Sequence, residues 1–270
     1  MNIKGRWALI TGASAGIGEA FAEALASRGA NLILTARRGD RLGALASRLA
    51  AAHGVETLTI SADLARPEAP GEIAAAIAAA GKPVDILVNN AGYGQPGHFE
   101  DVSWTTHRDF IELMMTSYAH LVHLFLPGMQ AKAYGRIINV ASVAGLAPGA
   151  AGHTLYGAVK AFLVSFSQSL AAENIDKGVR VSALCPGFTY SEFHDVNKTR
   201  GLVSALPRFM FMDARPVADS ALQAVERGHV VFVPGLWNKF VVWLMKALPR
   251  PWAAALVLRQ SQKFRLRVET

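Results

Sequence analysis

Seven short apolar runs recur along the chain: RWALIT, NLILTA, VETLTIS, DILVNN, GRIINVAS, GVRVSALCPG and HVVFVPG. Most are bounded by glycine, asparagine or proline, and their aliphatic and β-branched content predicts strands. Between them the apolar spacing lengthens to a helical period, as in GEAFAEALASRG, GDRLGALASRLAAAHG and PEAPGEIAAAIAAAG. The alanine-rich stretch 73–80 reflects helix propensity and carries no chemistry of its own. Strand–helix alternation predicts an α/β fold, a doubly wound parallel sheet of Rossmann type with helices on both faces. Nothing in the chain reads as an internal linker. The pattern divides it into a single domain, 1–235, and a C-terminal helical extension, 236–270.

The chain has 270 residues, 51% hydrophobic and 17% charged, so it can bury a core and is not a disordered polymer. One cysteine, Cys185, excludes an intrachain disulfide and suits a reducing compartment. The start, MNIKGRWALITGASAGIG, shows no apolar segment ahead of a small-residue cleavage site, so a cytoplasmic location is expected. Net charge is +7, but residues 236–270 hold seven Lys/Arg and one Glu. That tail accounts for +6, and a uniformly basic nucleic-acid-binding surface is not expected.

The first strand runs into TGASAGIG, with glycines at Gly12, Gly16 and Gly18. Glycine permits a tight turn and close approach of ligand to backbone, and the helix that follows presents free N–H groups to a phosphate. The second strand ends LTARR. A site for NAD would carry an acid here to hold the ribose 2′-hydroxyl, whereas this chain has Ala36, Arg37 and Arg38. Two arginines suit a 2′-phosphate, so the expected cofactor is NADP(H).

Further marks follow in order: Asp63 in SADL, NNAG at 89–92, Ser142 in NVAS, Tyr156-x-x-x-Lys160, and PGFTYS at 186–191. On these residues the chain resembles the short-chain dehydrogenase/reductases over nearly its whole length. The resemblance implies a catalytic set of Ser142, Tyr156 and Lys160. Tyr156 would be the general acid/base, Ser142 would hydrogen-bond the substrate oxygen, and Lys160 would favour the phenolate and hold the nicotinamide ribose. It implies a cofactor site of Gly12, Ser14, Gly16, Ile17, Gly18, Arg37, Arg38, Asp63, Asn90, Ala91, Gly92, Tyr156, Lys160, Pro186, Gly187 and Thr189. Asp63 would lie near the adenine, and Asn89 would brace the central strands. It also implies hydride transfer between NADP(H) and a ketone, aldehyde or secondary alcohol, which the apolar segment 188–215 makes a hydrophobic one, in a homodimer or homotetramer.

The pattern breaks at one place. The family usually carries an asparagine about thirteen residues before a Leu-Pro pair, and here that position is Met114. A thioether cannot replace an amide in a polar relay. The register could differ by a turn, Thr116 or Ser117 could hold the relay water, or the chain could be a non-catalytic NADP(H)-binding sensor or scaffold. His120 and His123 fall one helical turn apart without a patterned third ligand, so no metal is expected.

Residues 188–215 are rich in Phe and Met and read either as a lid over a hydrophobic pocket or as ordinary core. The extension has three tryptophans and a basic character, but no apolar run near the ~20 residues needed to span a bilayer. It reads either as a peripheral membrane contact or as a helical cap over a pocket or subunit interface.

Overall fold

The computed structural model describes residues 3–152, 154–190 and 207–263, the last four by backbone alone. Seven strands form one sheet: β1 (Trp7–Thr11), β2 (Asn31–Ala36), β3 (Thr57–Ser61), β4 (Ile86–Asn89), β5 (Gly135–Val140), β6 (Val179–Leu184) and β9 (Val231–Phe232). Their order is β3-β2-β1-β4-β5-β6-β9, and every neighbouring pair is parallel. Each of the seven apolar runs supplies one strand. A two-residue pair, β7 (Thr189–Tyr190) with β8 (Met212–Asp213), lies apart from this sheet.

Alternate residues of the strands feed two cores, as the period of two requires. On one face Ala8, Ile10, Leu32, Leu34, Val88 and Ile138 pack beneath helices α1 (Gly16–Ala26), α2 (Gly39–His53) and α7 (Ala214–Glu226). On the other, Leu9, Ile33, Leu87, Ile137 and Val181 pack beneath α3 (Ala69–Ala79), α5 (Ser117–Ala131) and α6 (Thr154–Glu173). Helix α4 (Trp104–Ile111) runs into α5 through a single wide turn, Glu112–Thr116, with π-type hydrogen bonding. The C-terminal part forms α8 (Leu236–Ala247) and α9 (Arg250–Lys263).

The chain winds outward from β1 to β3, then returns to the far side of β1 and winds outward again from β4. This reversal parts the connections that follow β1 and β4 and opens a crevice at their C-terminal ends. A buried polar chain stiffens the sheet beside it. The Asn89 amide donates to Asn139 Oδ1 at 3.0 Å and to the Tyr118 carbonyl at 3.3 Å. The Asn139 amide donates to Ser167 Oγ on α6 at 2.9 Å. Asn89 therefore braces β4 to β5 and to α5.

Candidate active site

The glycine turn is built by contact. Gly12 and Gly16 have φ of 65° and 62°, the left-handed region that glycine enters without steric cost. A β-carbon at Gly12 would stand 2.8 Å from Ala91 Cα, and one at Gly18 would stand 2.3 Å from the Gly12 carbonyl oxygen. The buried Thr11 hydroxyl joins the two strand ends. It accepts from the N–H groups of Asn90 at 2.8 Å and Ala91 at 2.9 Å and donates to the Val88 carbonyl. The Asn90 amide returns a bond to the Thr11 carbonyl at 2.9 Å. Thr11 belongs to the TGASAGIG run, yet only its buried hydroxyl, bonded across the crevice, reveals it as a clamp.

This leaves a bare backbone cradle at the start of α1, whose N-cap residue Ala15 offers its N–H groups no side-chain acceptor. Such a turn fits a pyrophosphate. Ile17 faces the core beside it. At the end of β2, Arg38 donates from Nε and Nη2 to Ser14 Oγ, at 3.3 and 3.1 Å. Arg37 is exposed, and its carbonyl accepts from Ser61 at the end of β3. Asp63 turns its carboxylate onto the Ala65 N–H at 3.1 Å. These residues rim the same C-terminal edge of the sheet.

Ser142, Tyr156 and Lys160 come together beyond β5. Ser142 is buried at the start of a short turn, Val143–Leu146, where its Oγ accepts from the Ala144 N–H. That turn lies directly on α6. A β-carbon on Gly145 would stand 2.5 Å from the Lys160 carbonyl carbon, so Gly145 is what allows the serine loop to reach the helix. The Lys160 ammonium is 5.6 Å from the Tyr156 ring centroid and donates to the Val140 carbonyl at 2.7 Å. At 4% exposure it is no snorkelling surface lysine.

Burial sets the protonation here. It pulls the Lys160 ammonium down to about 7, with a small opposing pull from Cys185. It pushes the Cys185 thiol up to about 12. It also pushes the Tyr156 phenol up, and the Ser142 side chain works the other way. The Ser142 side chain thus opposes desolvation at the phenol.

Met114 sits in the π-type turn and is fully buried against Phe110 and Val159, with Tyr156 packed on the same cluster. A β-carbon at Gly92 would stand 3.1 Å from its methyl. Neither proposed replacement for the missing amide is well placed. Ser117 donates its proton to the Leu113 carbonyl at 2.7 Å, and Thr116 is exposed. Sequence reasoning missed Tyr118, which is fully buried and donates to the Ala91 carbonyl at 2.9 Å. It thereby ties α5 to the strand end that carries Gly92.

On the far side, the Pro186 carbonyl accepts from the Val143 N–H, and buried Thr189 donates to the Gly187 carbonyl. Of the aromatic segment, Phe211 contacts both Phe188 and Tyr190, at centroid distances of 5.6 and 4.9 Å. Ser191, Phe193 and Leu206 lie outside the described residues.

The short chain dehydrogenase family profile matches residues 6–200. The chain is 32% identical over 268 residues to the very-long-chain 3-oxoacyl-CoA reductase of Anas platyrhynchos, covering 97% of this chain and 82% of that protein. It is 38% identical over 191 residues to the inactive hydroxysteroid dehydrogenase-like protein 1 of Rattus norvegicus, covering 69% of this chain and 57% of that one. Among solved structures, a short-chain dehydrogenase from Sphingobium yanoikuyae in complex with NADPH is 32% identical with a TM-score of 0.78, covering 98% of both chains. The bulky-bulky ketone specific alcohol dehydrogenase from Comamonas testosteroni is 32% identical with a TM-score of 0.75, covering 100% of this chain and 97% of that one. A short-chain dehydrogenase/reductase from Burkholderia phymatum in complex with NAD is 28% identical with a TM-score of 0.80, covering 90% and 94%.

Proposed function

This chain belongs to the short-chain dehydrogenase family, and from that premise we propose that it interconverts a bulky hydrophobic carbonyl compound and its alcohol with NADP(H). The observation that carries the reading is the convergence beyond β5 of buried Ser142 with the helix that bears Tyr156 and, one turn on, buried Lys160. The bare turn at Gly12, Gly16 and Gly18 would hold the cofactor's phosphates, and Arg37 and Arg38 its 2′-phosphate. The solved relatives include NADPH and NAD complexes, so the choice rests on Ala36, Arg37 and Arg38 in this chain.

Bound cofactor supplies or accepts the hydride. The chain handles the proton. In reduction Tyr156 gives its phenolic proton to the substrate oxygen while Ser142 polarises that oxygen. Lys160, in its charged form, favours the phenolate left behind. In alcohol oxidation the same groups act in reverse. The aromatic wall of Phe188, Tyr190 and Phe211 supports a bulky apolar substrate, as does similarity to an enzyme specific for bulky-bulky ketones. The same reading pairs subunits through 109–131 and 155–173 as a homodimer or homotetramer, which light scattering checks.

The test is NADPH oxidation against ketones of increasing bulk, with Tyr156→Phe as the control. Turnover should fall on the order of a hundredfold or more in the variant while NADPH still binds. Equal turnover in the two proteins would overturn the assignment. Two observations favour a second reading, an NADP(H)-binding protein without efficient chemistry. Met114 fills the relay position with an apolar side chain, and a similar curated relative is named inactive.

A further inference from the structure

Helix α8 is amphipathic in an unusual sense. Its polar residue Asn238 is buried, at 7% exposure, with its amide donating to the Pro234 carbonyl at 2.9 Å. Leu236, Trp237, Phe240 and Trp243 are exposed instead, Trp243 by 62%. These rings are continuous with one another and with exposed Phe209. Centroids are 5.2 Å apart from Phe209 to Trp237, 5.9 Å from Trp237 to Phe240, and 6.0 Å from Phe240 to Trp243. Helix α9 adds exposed Trp252 and Leu256. An aromatic stripe of this kind on a monomer's surface marks something that covers it.

Charge selects the occupant. Residues 236–263 contain Lys239, Lys246, Arg250, Arg259 and Lys263 and no Asp or Glu. A second copy would bring a segment of the same charge against it, which disfavours self-association. A sheet of anionic headgroups over hydrocarbon satisfies both features together. Basic side chains meet the headgroups, and tryptophan and phenylalanine enter the boundary region. Helix α8 has 12 residues, about 18 Å, and no helix among the described residues is long and apolar enough to cross a membrane. The geometry therefore suits a helix lying in the interfacial plane.

We propose that the face formed by Phe209, Trp237, Phe240 and Trp243, flanked by Lys239, Lys246 and Arg250, docks this protein on an anionic phospholipid bilayer. The other side of α8 seats Asn238 on Gly187, the glycine that follows β6 and Pro186. The membrane would thus lie one helix away from the crevice where Ser142 and Tyr156 meet. The docking itself does not depend on the reaction proposed above.

The experiment uses the full chain with vesicles of phosphatidylcholine plus phosphatidylglycerol, and with phosphatidylcholine alone. Cosedimentation and the tryptophan emission maximum are read. Binding and a blue shift are expected with the anionic vesicles and should be lost at high salt. Lys239→Glu with Lys246→Glu, and separately Trp237→Ala with Trp243→Ala, should each weaken binding about tenfold or more. Trp104→Ala, an exposed tryptophan on α4, should not. Far-UV circular dichroism of each variant separates lost docking from lost folding, and NADPH titration bears on the cofactor site alone. No binding to anionic vesicles by well-folded protein overturns the proposal. So does binding that ignores both double variants, or a soluble oligomer that dissociates when Trp237 and Trp243 are removed. Capture by an acidic protein, with no affinity for vesicles, also counts against it.

Discussion

A β-carbon on Gly187 would stand 2.2 Å from Oδ1 of Asn238, so α8 is seated directly on the backbone that follows β6. Asn238 cannot easily yield, because it is buried and bonded to Pro234. Gly187→Ala should therefore shift α8 and cost about 1–3 kcal/mol of stability. Urea unfolding measures this. Asn238→Gly should restore part of the loss in the double variant, and additive losses would show that the two residues are not in contact.

Cofactor choice is a second outcome. Arg38 already bonds Ser14 over the glycine turn, and Arg37 is exposed beside it. NADP(H) is expected to bind at least about tenfold tighter than NAD(H), equivalent to about 1.4 kcal/mol. Ala36→Asp combined with Arg37→Ala should reverse the order. Fluorescence titration of both cofactors with both proteins decides it, and equal affinities in the parent would defeat the assignment.

Much of this arrangement was legible in the sequence because it is periodic or local. Leu9 and Ile10 alternate between two cores, and each apolar run became a strand. The glycines of the first turn and the Tyr156–Lys160 pair carry their spacing in the chain itself. What escaped is contact between distant residues. Gly145 resembles any loop glycine until α6 is seen against it, and Tyr118 resembles a core aromatic until its hydroxyl reaches Ala91. The π-type turn at Glu112–Thr116 leaves no mark in the apolar spacing, and the seating of Asn238 on Gly187 depends on the fit of a helix against a distant loop.

Lys160 supplies a pH dependence whose sign follows from burial. Its folded pKa, about 7, lies below the ordinary lysine value of 10.5. Between those values the unfolded chain binds the extra proton, so the lysine's penalty is full below about pH 7 and fades as pH rises. Lys160→Met removes that dependence. Its stability relative to the parent should be highest near pH 6 and should fall by about 2–3 kcal/mol towards pH 9. Losing the bond to the Val140 carbonyl adds an offset that does not vary with pH. Urea midpoints across that range test the slope, and parallel curves would mean that Lys160 stays charged throughout.

Met114 decides between an enzyme and a binder. Its methyl lies against Gly92 and its cluster includes Phe110, Val159 and Tyr156, so Met114→Asn places an amide among apolar neighbours. An unpartnered buried amide costs roughly 1–3 kcal/mol, and a lower unfolding midpoint is expected. Turnover on a generic bulky ketone should change less than about tenfold, because Ser142, Tyr156 and Lys160 are already brought to one place beyond β5. Ser117→Ala and Thr116→Val should leave turnover within about twofold, since the Ser117 proton is held by Leu113 and Thr116 is exposed. A large loss in either would revive a relay moved to those hydroxyls. A rise of more than about tenfold in Met114→Asn, with unchanged NADPH affinity, would instead mean that the asparagine was the missing catalytic part. The parent chain would then be a cofactor-binding protein with its chemistry disabled at one residue.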